Sequence, residues 1–381
     1  MKQPLRPLML GIAGDSGSGK TTLTSGLLTL VGGRLFGAAE TTVICLDDYH
    51  KYDRQERQRR GLTALNPACN YLDIMAQHLQ ALRQGQPILK PVYNHATGCF
   101  EPPEYVQPTR LIIVEGLLTL STPALQRCFD LTVYLDPDER LRHRWKIQRD
   151  TALRGYTERQ VIESLARRMP DSEQYIWPQK KAADLVVRFW PPYGYFDEQV
   201  DNARLNVRLF QRHSLPQPNW QEVLAHAQNG RKPALRLEPN IWSGGQLVDI
   251  LDIDGGLALE KASELEAVIV QHWRQRQPLS CAPSSDAGAE RCLGDFREGA
   301  LLRHSEPLAL TQLLLADYLV SIHQQQPSEP MALPEPIEAF LPPLLRGANG
   351  IERALERRLP VPSEQRSSET KIAESPGKTV R

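Results

Sequence analysis

Short unbroken runs of apolar residues alternate with longer amphipathic segments through the first half of the chain. The runs predict strands at 8–13, 42–46, 111–114, 131–135 and 185–189. Between them, apolar residues recur at helical spacing and predict helices at 22–30, 73–83, 137–153 and 157–168. Strands that are apolar on both faces and separated by helices form a parallel sheet covered on both sides. The pattern therefore predicts an α/β fold.

The pattern changes after residue 190. Residues 205–210 alternate between apolar and polar side chains, as a half-buried antiparallel strand does. Residues 247–253 predict another strand, whereas 260–273 and 308–322 predict helices. We therefore expect the mostly parallel sheet to be extended by antiparallel strands and helices in the C-terminal part.

The last part of the chain has a different composition. From residue 326 it is rich in proline, then in charge and serine, with few aromatic residues, although part of 337–359 fits a helix. This composition predicts a largely disordered tail. We expect a core at 1–212, an extension of the same fold at 213–325 and a tail at 326–381.

Overall composition excludes several classes of protein. Among 381 residues, 45 are Lys or Arg and 45 are Asp or Glu, which argues against a general nucleic-acid or membrane-surface binder. The longest central apolar run, 111–120, is broken by Glu115 and is too short to span a membrane. The six cysteines show no C-x-x-C spacing, which predicts reduced thiols and neither a disulfide framework nor a zinc site. We expect no signal peptide and a cytoplasmic protein.

The strongest chemical signal is the sequence Gly-Asp-Ser-Gly-Ser-Gly-Lys-Thr at 14–21, between the first strand and the first helix. It fits the phosphate-binding P-loop, in which glycines turn backbone N–H groups towards phosphate oxygens. Lys20 would place its charge on the β- and γ-phosphates, and the Thr21 hydroxyl would ligate Mg²⁺. The predicted nucleotide-binding residues are Gly14, Asp15, Ser16, Gly17, Ser18, Gly19, Lys20, Thr21 and Thr22.

Two acidic residues follow apolar strands at the sheet edge where such folds bind ligands. Asp47, after strand 42–46, is a candidate base for an attacking hydroxyl, and His50 and Arg54 follow it. Glu115 ends strand 111–114, in the position of a Mg²⁺-holding carboxylate. The structural alternatives are a simple polar turn at Asp47 and a simple strand-end charge at Glu115.

Lys146, Arg149, Asp150 and Arg154 share one face of a predicted helix. Such a cluster suits a phosphorylated acceptor or the transferred phosphoryl group, and Arg168 on the next helix extends it. The alternative is a solvated, salt-bridged surface, which is the usual role of a charge run.

The chain resembles the phosphoribulokinase family, specifically its plant and cyanobacterial type. The resemblance is collinear from residue 5 to about 212 and continues weakly to about 322. It rests on the segments 11–21 (GIAGDSGSGKT), 44–50 (ICLDDYH), 90–98 (KPVYNHATG), 114–117 (VEGL), 145–150 (WKIQRD), and Tyr175 with 178–180 (PQK).

The resemblance implies a P-loop kinase fold and a Calvin cycle enzyme. Such a kinase transfers the γ-phosphoryl of ATP, with Mg²⁺, to the terminal hydroxyl of D-ribulose 5-phosphate, giving ribulose 1,5-bisphosphate and ADP. By position, Asp47, Lys20 and Asp150 would be catalytic, and Thr21 and Glu115 would hold the metal. The implied sugar-phosphate residues are His50, Arg54, Tyr93, His95, Lys146, Arg149, Arg154 and Arg168. The resemblance also implies a homodimer.

The chain departs from the family pattern at several positions. Ser18 replaces a P-loop cysteine that, in plant members, forms a regulatory disulfide with the cysteine at Cys45, so that disulfide is excluded here. Ala68, Leu118 and Trp177 replace polar family residues and place the acceptor in doubt more than ATP use. Whether Cys281 and Cys292 pair is open.

Two alternative functions therefore remain open. One is a related kinase with another acceptor, such as uridine, cytidine or glycerate. The other is an inactive paralogue that binds nucleotide and acts as a regulator. The retained cations favour a phosphorylated acceptor, and the intact Lys20, Thr21, Asp47 and Glu115 favour an active enzyme.

Overall fold

A mixed sheet, which has eight strands within the described part of the chain, lies at the centre of the computed structural model. The structure describes residues 6–31, 40–192, 200–213, 215–216, 220–229, 232–276, 293–299 and 301–325. All of these belong to one compact unit within Met1–Met331. The predicted tail, Cys281 and Cys292 lie outside the described residues.

The strands and helices have the following bounds. The strands are β1 (Leu8–Gly14), β2 (Thr41–Cys45), β3 (Ile88–Asn94), β4 (Cys99–Val106), β5 (Leu111–Gly116), β6 (Leu131–Leu135), β7 (Leu185–Trp190), β8 (Asn206–Arg212), β9 (Gln228–Asn229), β10 (Lys232–Pro233), β11 (Leu235–Ser243), β12 (Gln246–Ile253), β13 (Asp295–Glu298) and β14 (Leu301–His304). The helices are α1 (Lys20–Leu27), α2 (Arg54–Arg59), α3 (Leu72–Arg83), α4 (Pro123–Gln126), α5 (Glu139–Arg154), α6 (Glu158–Asp171), α7 (Trp220–Ala225), α8 (Leu259–Arg276) and α9 (Glu306–Gln325).

The strand order is β11-β12-β8-β7-β6-β1-β5-β2. Strands β2, β5, β1, β6 and β7 run parallel, and β8, β12 and β11 continue the sheet antiparallel from β7. The P-loop strand β1 is central: its Leu10 pairs with Ile113 of β5 on one side and with Leu131 of β6 on the other. The predicted α/β fold, with its antiparallel extension, is confirmed.

Helices cover both faces of the sheet, as the apolar strands predicted. Leu8, Leu10 and Ile12 of β1 belong to a core that also includes side chains of α1, α8 and α9. Met9 and Ala13 belong to the core on the opposite face, with side chains of α3 and α4. Within the described residues, we find no helix that is both long enough and apolar enough to cross a membrane.

Helix ends around the cation cluster also match the sequence signals. Helix α5 ends at Gly155, whose φ of 70° lies in the left-handed region that favours glycine. Thr157 and Gln160 then form a capping box at the start of α6: each side chain bonds the other residue's backbone N–H. These two ends fix the turn between the helices that carry the predicted cations.

Two of the antiparallel hairpins that the sequence did not predict contribute to the site. Strands β3 and β4 form one, and β4 is exposed at every residue except its last. Strands β13 and β14 form the other. Both contribute residues to the cleft described below, so these additions to the sheet core bear directly on the site.

Candidate active site

A cleft of about 1180 Å³ lies where the parallel strands β1, β2 and β5 end. Every predicted site residue except Gly14 and Asp15 lines it. Those that line it are Ser16, Gly17, Ser18, Gly19, Lys20, Thr21, Thr22, Asp47, His50, Arg54, Tyr93, His95, Glu115, Lys146, Arg149, Asp150, Arg154 and Arg168. The fold thus brings residues from six separate parts of the chain into one site.

The P-loop backbone requires its glycines. Gly17 and Gly19 have φ values of 87° and 92°, which non-glycine residues rarely adopt. A Cβ on Gly17 would also lie 2.8 Å from the Cβ of Lys146. The Lys20 ammonium donates to the Gly14 carbonyl oxygen at 2.8 Å, so it lies inside the curve of the loop. This arrangement fits a phosphate group held by backbone N–H groups and one lysine.

Buried Arg142, a residue that the sequence analysis did not identify, holds the loop against α5. Its guanidinium donates to the Ser16 carbonyl oxygen at 2.9 Å and lies 3.5 Å from the Asp15 carboxylate. Asp15 in turn accepts from the Ser16 N–H at 2.6 Å. Asp15 therefore faces away from the cleft and fixes the shape of the loop.

Thr21 and Glu115 meet as predicted for a metal pair. The Thr21 hydroxyl donates to one Glu115 oxygen at 3.2 Å, and the Thr24 hydroxyl donates to the other at 3.0 Å. A hydroxyl and a carboxylate at the phosphate loop are the hard oxygen ligands that Mg²⁺ prefers. The donor set therefore fits Mg²⁺.

Asp47 lies in the short helical turn after β2. One of its carboxylate oxygens accepts from the Leu117 N–H at 2.9 Å, which orients the group. In the described part of the chain, Asp47 has no ion-pair partner within 4 Å, unlike the adjacent Asp48, which is salt-bridged to Lys90 at 2.6 Å. Asp47 is thus an oriented carboxylate without a bound cation, which is what proton acceptance requires.

The buried His50 ring has a defined tautomer. The Asn70 amide nitrogen donates to the carbonyl oxygens of Ala64 and Asn66, at 3.2 and 2.9 Å, so the Asn70 carbonyl oxygen faces His50. His50 Nδ1 lies 2.7 Å from that oxygen and must donate to it. His50 Nε2 is therefore a hydrogen-bond acceptor.

Burial, together with the Arg57 charge, lowers the pKa of His50 from 6.5 to about 4. The unfolded chain then binds a proton that the folded protein does not, so stability is lost as pH falls from 6.5 towards 4. Between about pH 7 and about pH 5, the free energy of unfolding measured with urea should fall by about 2 kcal/mol more for the wild-type protein than for His50→Gln. An equal loss in both proteins would contradict a neutral buried His50.

The β3–β4 hairpin presents Tyr93 and His95 to the cleft. Arg57, which was not predicted, is buried, donates to the Tyr93 hydroxyl at 2.6 Å and stacks on its ring at 5.0 Å. The Arg54 guanidinium donates to the backbone oxygens of His95 and Ala96. Arg54 and Arg57 therefore both fasten helix α2 to the hairpin. Arg57 lies one helical turn after Arg54, a spacing that could have revealed it.

The predicted cation cluster is organised around Asp150. This buried carboxylate lies 2.7 Å from the Lys146 ammonium, 2.9 Å from Arg149 and 3.4 Å from Arg154. Burial and the nearby Arg168 charge lower the pKa of Lys146 to about 8. All four predicted residues share one face, as expected, but the Asp150 carboxylate is already ion-paired with the other three.

Arg168 differs from the cations around Asp150. It lies on α6 and lines the same cleft. Among described residues it has no hydrogen-bond or ion-pair partner. Burial lowers its pKa, and the charges of Asp15 and Asp150 act against that effect. Its guanidinium is therefore available for an anion from outside the chain.

The three positions that depart from the family pattern do not line the cleft in the described structure. Leu118 is buried in a small apolar cluster with Leu65 and Ile176, and Trp177 packs against the same cluster. Ala68 is exposed. Two of the three changes therefore pack against each other outside the lining of the cleft.

The β13–β14 hairpin is anchored beside the P-loop by a hydrogen-bonded chain. The Trp145 indole N–H donates to the Asn202 carbonyl oxygen at 2.9 Å, and the Asn202 amide donates to Glu298 at 2.6 Å. Arg303 donates to the other Glu298 oxygen at 2.7 Å. This side of the cleft comes from distant parts of the sequence, so no local motif marked it.

A comparison of the sequence with known proteins identifies the same family as the motifs did. The sequence model of the Phosphoribulokinase / Uridine kinase family matches residues 9–193. A phosphoribulokinase of Synechocystis sp. is 44% identical over 207 residues, which are 54% of this chain and 60% of that protein. The chain thus spans less than two thirds of that relative's length. A chloroplastic phosphoribulokinase of Chlamydomonas reinhardtii is 31% identical over 283 residues, covering 68% of this chain and 75% of that protein.

A solved structure supports the fold independently. The phosphoribulokinase from Rhodobacter spheroides superposes with a TM-score of 0.51 at 17% identity, covering 71% of this chain and 97% of that one. At this identity, the likeness establishes the P-loop kinase fold and not the substrate. Together with the family model and the relatives, these findings show that the chain belongs to the phosphoribulokinase / uridine kinase family.

Proposed function

We propose that this protein is an ATP-dependent kinase that phosphorylates the terminal hydroxyl of D-ribulose 5-phosphate, giving ribulose 1,5-bisphosphate and ADP. One observation carries the proposal. A single cleft contains the P-loop, the oriented carboxylate of Asp47 and a dense group of cations. Relatives named phosphoribulokinase, at up to 44% identity among those compared, support the same reaction.

In the proposed reaction, Asp47 accepts the proton of the acceptor hydroxyl as that oxygen bonds to the γ-phosphorus. The bond from the γ-phosphorus to the bridging oxygen of ADP breaks. Lys20 and the P-loop N–H groups stabilise the charge on the phosphates. Mg²⁺, held by Thr21 and Glu115, would neutralise charge on the β- and γ-phosphate oxygens. His50 Nε2 would accept a hydrogen bond from another acceptor hydroxyl, since its Nδ1 is committed to Asn70.

The acceptor phosphate would bind Arg168, with Arg54 and Arg154 nearby in the cleft. Arg168 is the best candidate because it has no anionic partner of its own within the described structure. Asp150 would act chiefly by holding Lys146, Arg149 and Arg154 in position. We propose a cytoplasmic homodimer, as family resemblance implies, with the boundary between core and extension near residue 212.

The acceptor is tested by ADP release with Mg-ATP and, separately, ribulose 5-phosphate, uridine and glycerate. We expect turnover on ribulose 5-phosphate alone. Turnover on only one of the other compounds would identify a kinase with a different acceptor. Nucleotide binding without turnover on any of them would identify an inactive paralogue.

Arg168→Gln should raise the KM for ribulose 5-phosphate roughly 10- to 100-fold and leave the KM for ATP nearly unchanged, because one charge-assisted phosphate contact is lost. Arg159→Gln is the matched control, since Arg159 is on the same helix and is 88% exposed. Steady-state kinetics with each substrate varied gives both constants. An equal rise in both KM values would contradict an acceptor-specific role.

A further inference from the structure

Three potential metal ligands from different segments meet beside Asp47. They are the sulfur of Cys45, a carboxylate oxygen of Asp48 and a ring nitrogen of His95, all within 4.8 Å of one another. Cys45 ends β2, Asp48 lies in the turn after it, and His95 follows β3 in the hairpin. The proposed reaction uses neither the thiol nor Asp48.

Surrounding groups hold two of these ligands in place. Asp48 accepts from the Lys90 ammonium at 2.6 Å and from the Tyr93 N–H at 3.2 Å, which fixes the carboxylate and leaves lone pairs available. Arg54 donates to the backbone oxygen of His95. The His95 ring packs edge-on against the Tyr93 ring, with 5.1 Å between the ring centroids. Ligands oriented by a second layer of hydrogen bonds are typical of metal sites in proteins.

The charge around the sulfur also favours a divalent cation. Cys45 pairs in register with Glu115 across β2 and β5, and Asp47 follows it by two residues. Three carboxylates, Asp47, Asp48 and Glu115, therefore surround one thiol, and Lys90 pairs with only one of them. These carboxylates would attract a divalent ion bound to the thiol.

We propose that Cys45, Asp48 and His95 form a site for a thiophilic divalent cation, of which Zn²⁺ is the best fit, and that its occupation blocks the acceptor. Sulfur, nitrogen and oxygen together suit Zn²⁺ and exclude Mg²⁺ as the preferred ion. On binding, the Cys45 S–H bond breaks, a sulfur–metal bond forms and the proton leaves to solvent. The absence of C-x-x-C spacing argued against zinc, but this site is assembled only by folding.

The ligand His95 lines the cleft and is one of the residues that the resemblance assigns to the sugar phosphate. A metal held by His95 would therefore compete with the sugar phosphate rather than with ATP, which the P-loop would bind. This inhibitory consequence rests on the proposed kinase function, whereas metal binding itself does not. The two parts are tested separately.

Binding is tested by titrating the purified full-length protein with Co²⁺, a spectroscopic substitute for Zn²⁺. Wild-type protein should show sulfur-to-cobalt charge-transfer absorption that excess Zn²⁺ removes. Cys45→Ser should lose this absorption. Cys99→Ser and the double variant Cys281→Ser, Cys292→Ser should keep it, because they leave the three ligands intact. Absorption that survives Cys45→Ser, or its absence from wild type, would overturn the proposal.

Inhibition is tested by initial rates at saturating Mg-ATP, with free Zn²⁺ set by a chelator buffer. Zn²⁺ should raise the apparent KM for ribulose 5-phosphate at least about tenfold, since the ion and the acceptor exclude each other. Cys45→Ser, compared with its own metal-free rate, should abolish the effect. Cobalt absorption without competitive inhibition would overturn the inhibitory role alone. Failure of the kinase assay would count against the proposed function, and the cobalt titration would still decide the site.

Discussion

Asp47→Asn should lower kcat about 1,000-fold and leave the KM for ATP almost unchanged. The asparagine side chain has the shape of aspartate, and its carbonyl oxygen still accepts the hydrogen bond that the Leu117 N–H donates at 2.9 Å. What is lost is basicity, because an amide does not take a proton near neutral pH. The effect should therefore appear in the chemical step, measured as ADP release at saturating substrates.

The other carboxylates that line the described cleft all have side-chain partners. Both Glu115 oxygens accept from threonine hydroxyls, and Asp150 is paired with cations. Glu163 and Asp295 are paired with Arg159 and His304. A protonated Asp150 would give up its contacts with Lys146 and Arg149. Proton acceptance by Asp47 disrupts no ion pair that the described structure contains.

Two comparisons make the Asp47 result decisive. Asp73→Asn, the same change on an exposed residue of α3, should keep wild-type kcat. Asp47→Asn should also keep Mg-ATP binding by calorimetry, because no hydrogen bond joins Asp47 to the P-loop. If Asp47→Asn retained more than about a tenth of wild-type kcat, a general base worth 10²–10⁴-fold would have to be sought elsewhere.

The strands and the P-loop could be predicted because their signals are local. A parallel strand buried on both faces must be apolar at every position, and 111–114 shows this directly. The phosphate loop needs glycine where φ is positive, as at Gly17 and Gly19. These requirements act on adjacent residues, so one sequence suffices to recognise them.

The hairpins and the partners of site residues could not be predicted in this way. Strand β4 is exposed along nearly all its length, so it carries no apolar signal. Asn70 determines which nitrogen of His50 is protonated, but the two residues are joined only by folding. Asp47 and Asp48 are adjacent in the sequence, and folding separates their roles, because Asp47 lines the cleft whereas Asp48 is ion-paired with Lys90.

For Asp150, the sequence predicted the location of the side chain but not its ion-pair partners. Helical spacing correctly placed it on one face with Lys146, Arg149 and Arg154. Spacing alone does not say which cation pairs with the carboxylate of Asp150. The short distances favour a carboxylate that positions cations over one that takes part in proton transfer.

Lys20→Met is expected to lower kcat by about 10²–10³-fold. In the described structure, the Lys20 ammonium donates to the backbone oxygens of Gly14 and Asp15, at 2.8 and 3.2 Å. It is therefore already held inside the loop where phosphate would bind, so little reorganisation is needed when charge develops. Methionine keeps an unbranched apolar stem that reaches nearly as far, and it removes the ammonium together with its charge and hydrogen bonds.

Lys20→Arg should recover little of this activity, although it restores the positive charge. The two carbonyl oxygens accept from one compact ammonium, and the planar guanidinium is larger and has its donors in a fixed fork. Lys232→Met, at an exposed position on β10, serves as the control and should behave like wild type. Rates and KM values for Mg-ATP separate the possibilities. A rise in KM with unchanged kcat would mean that Lys20 binds ground state and transition state equally, which would contradict a role in stabilising the transferred phosphoryl group.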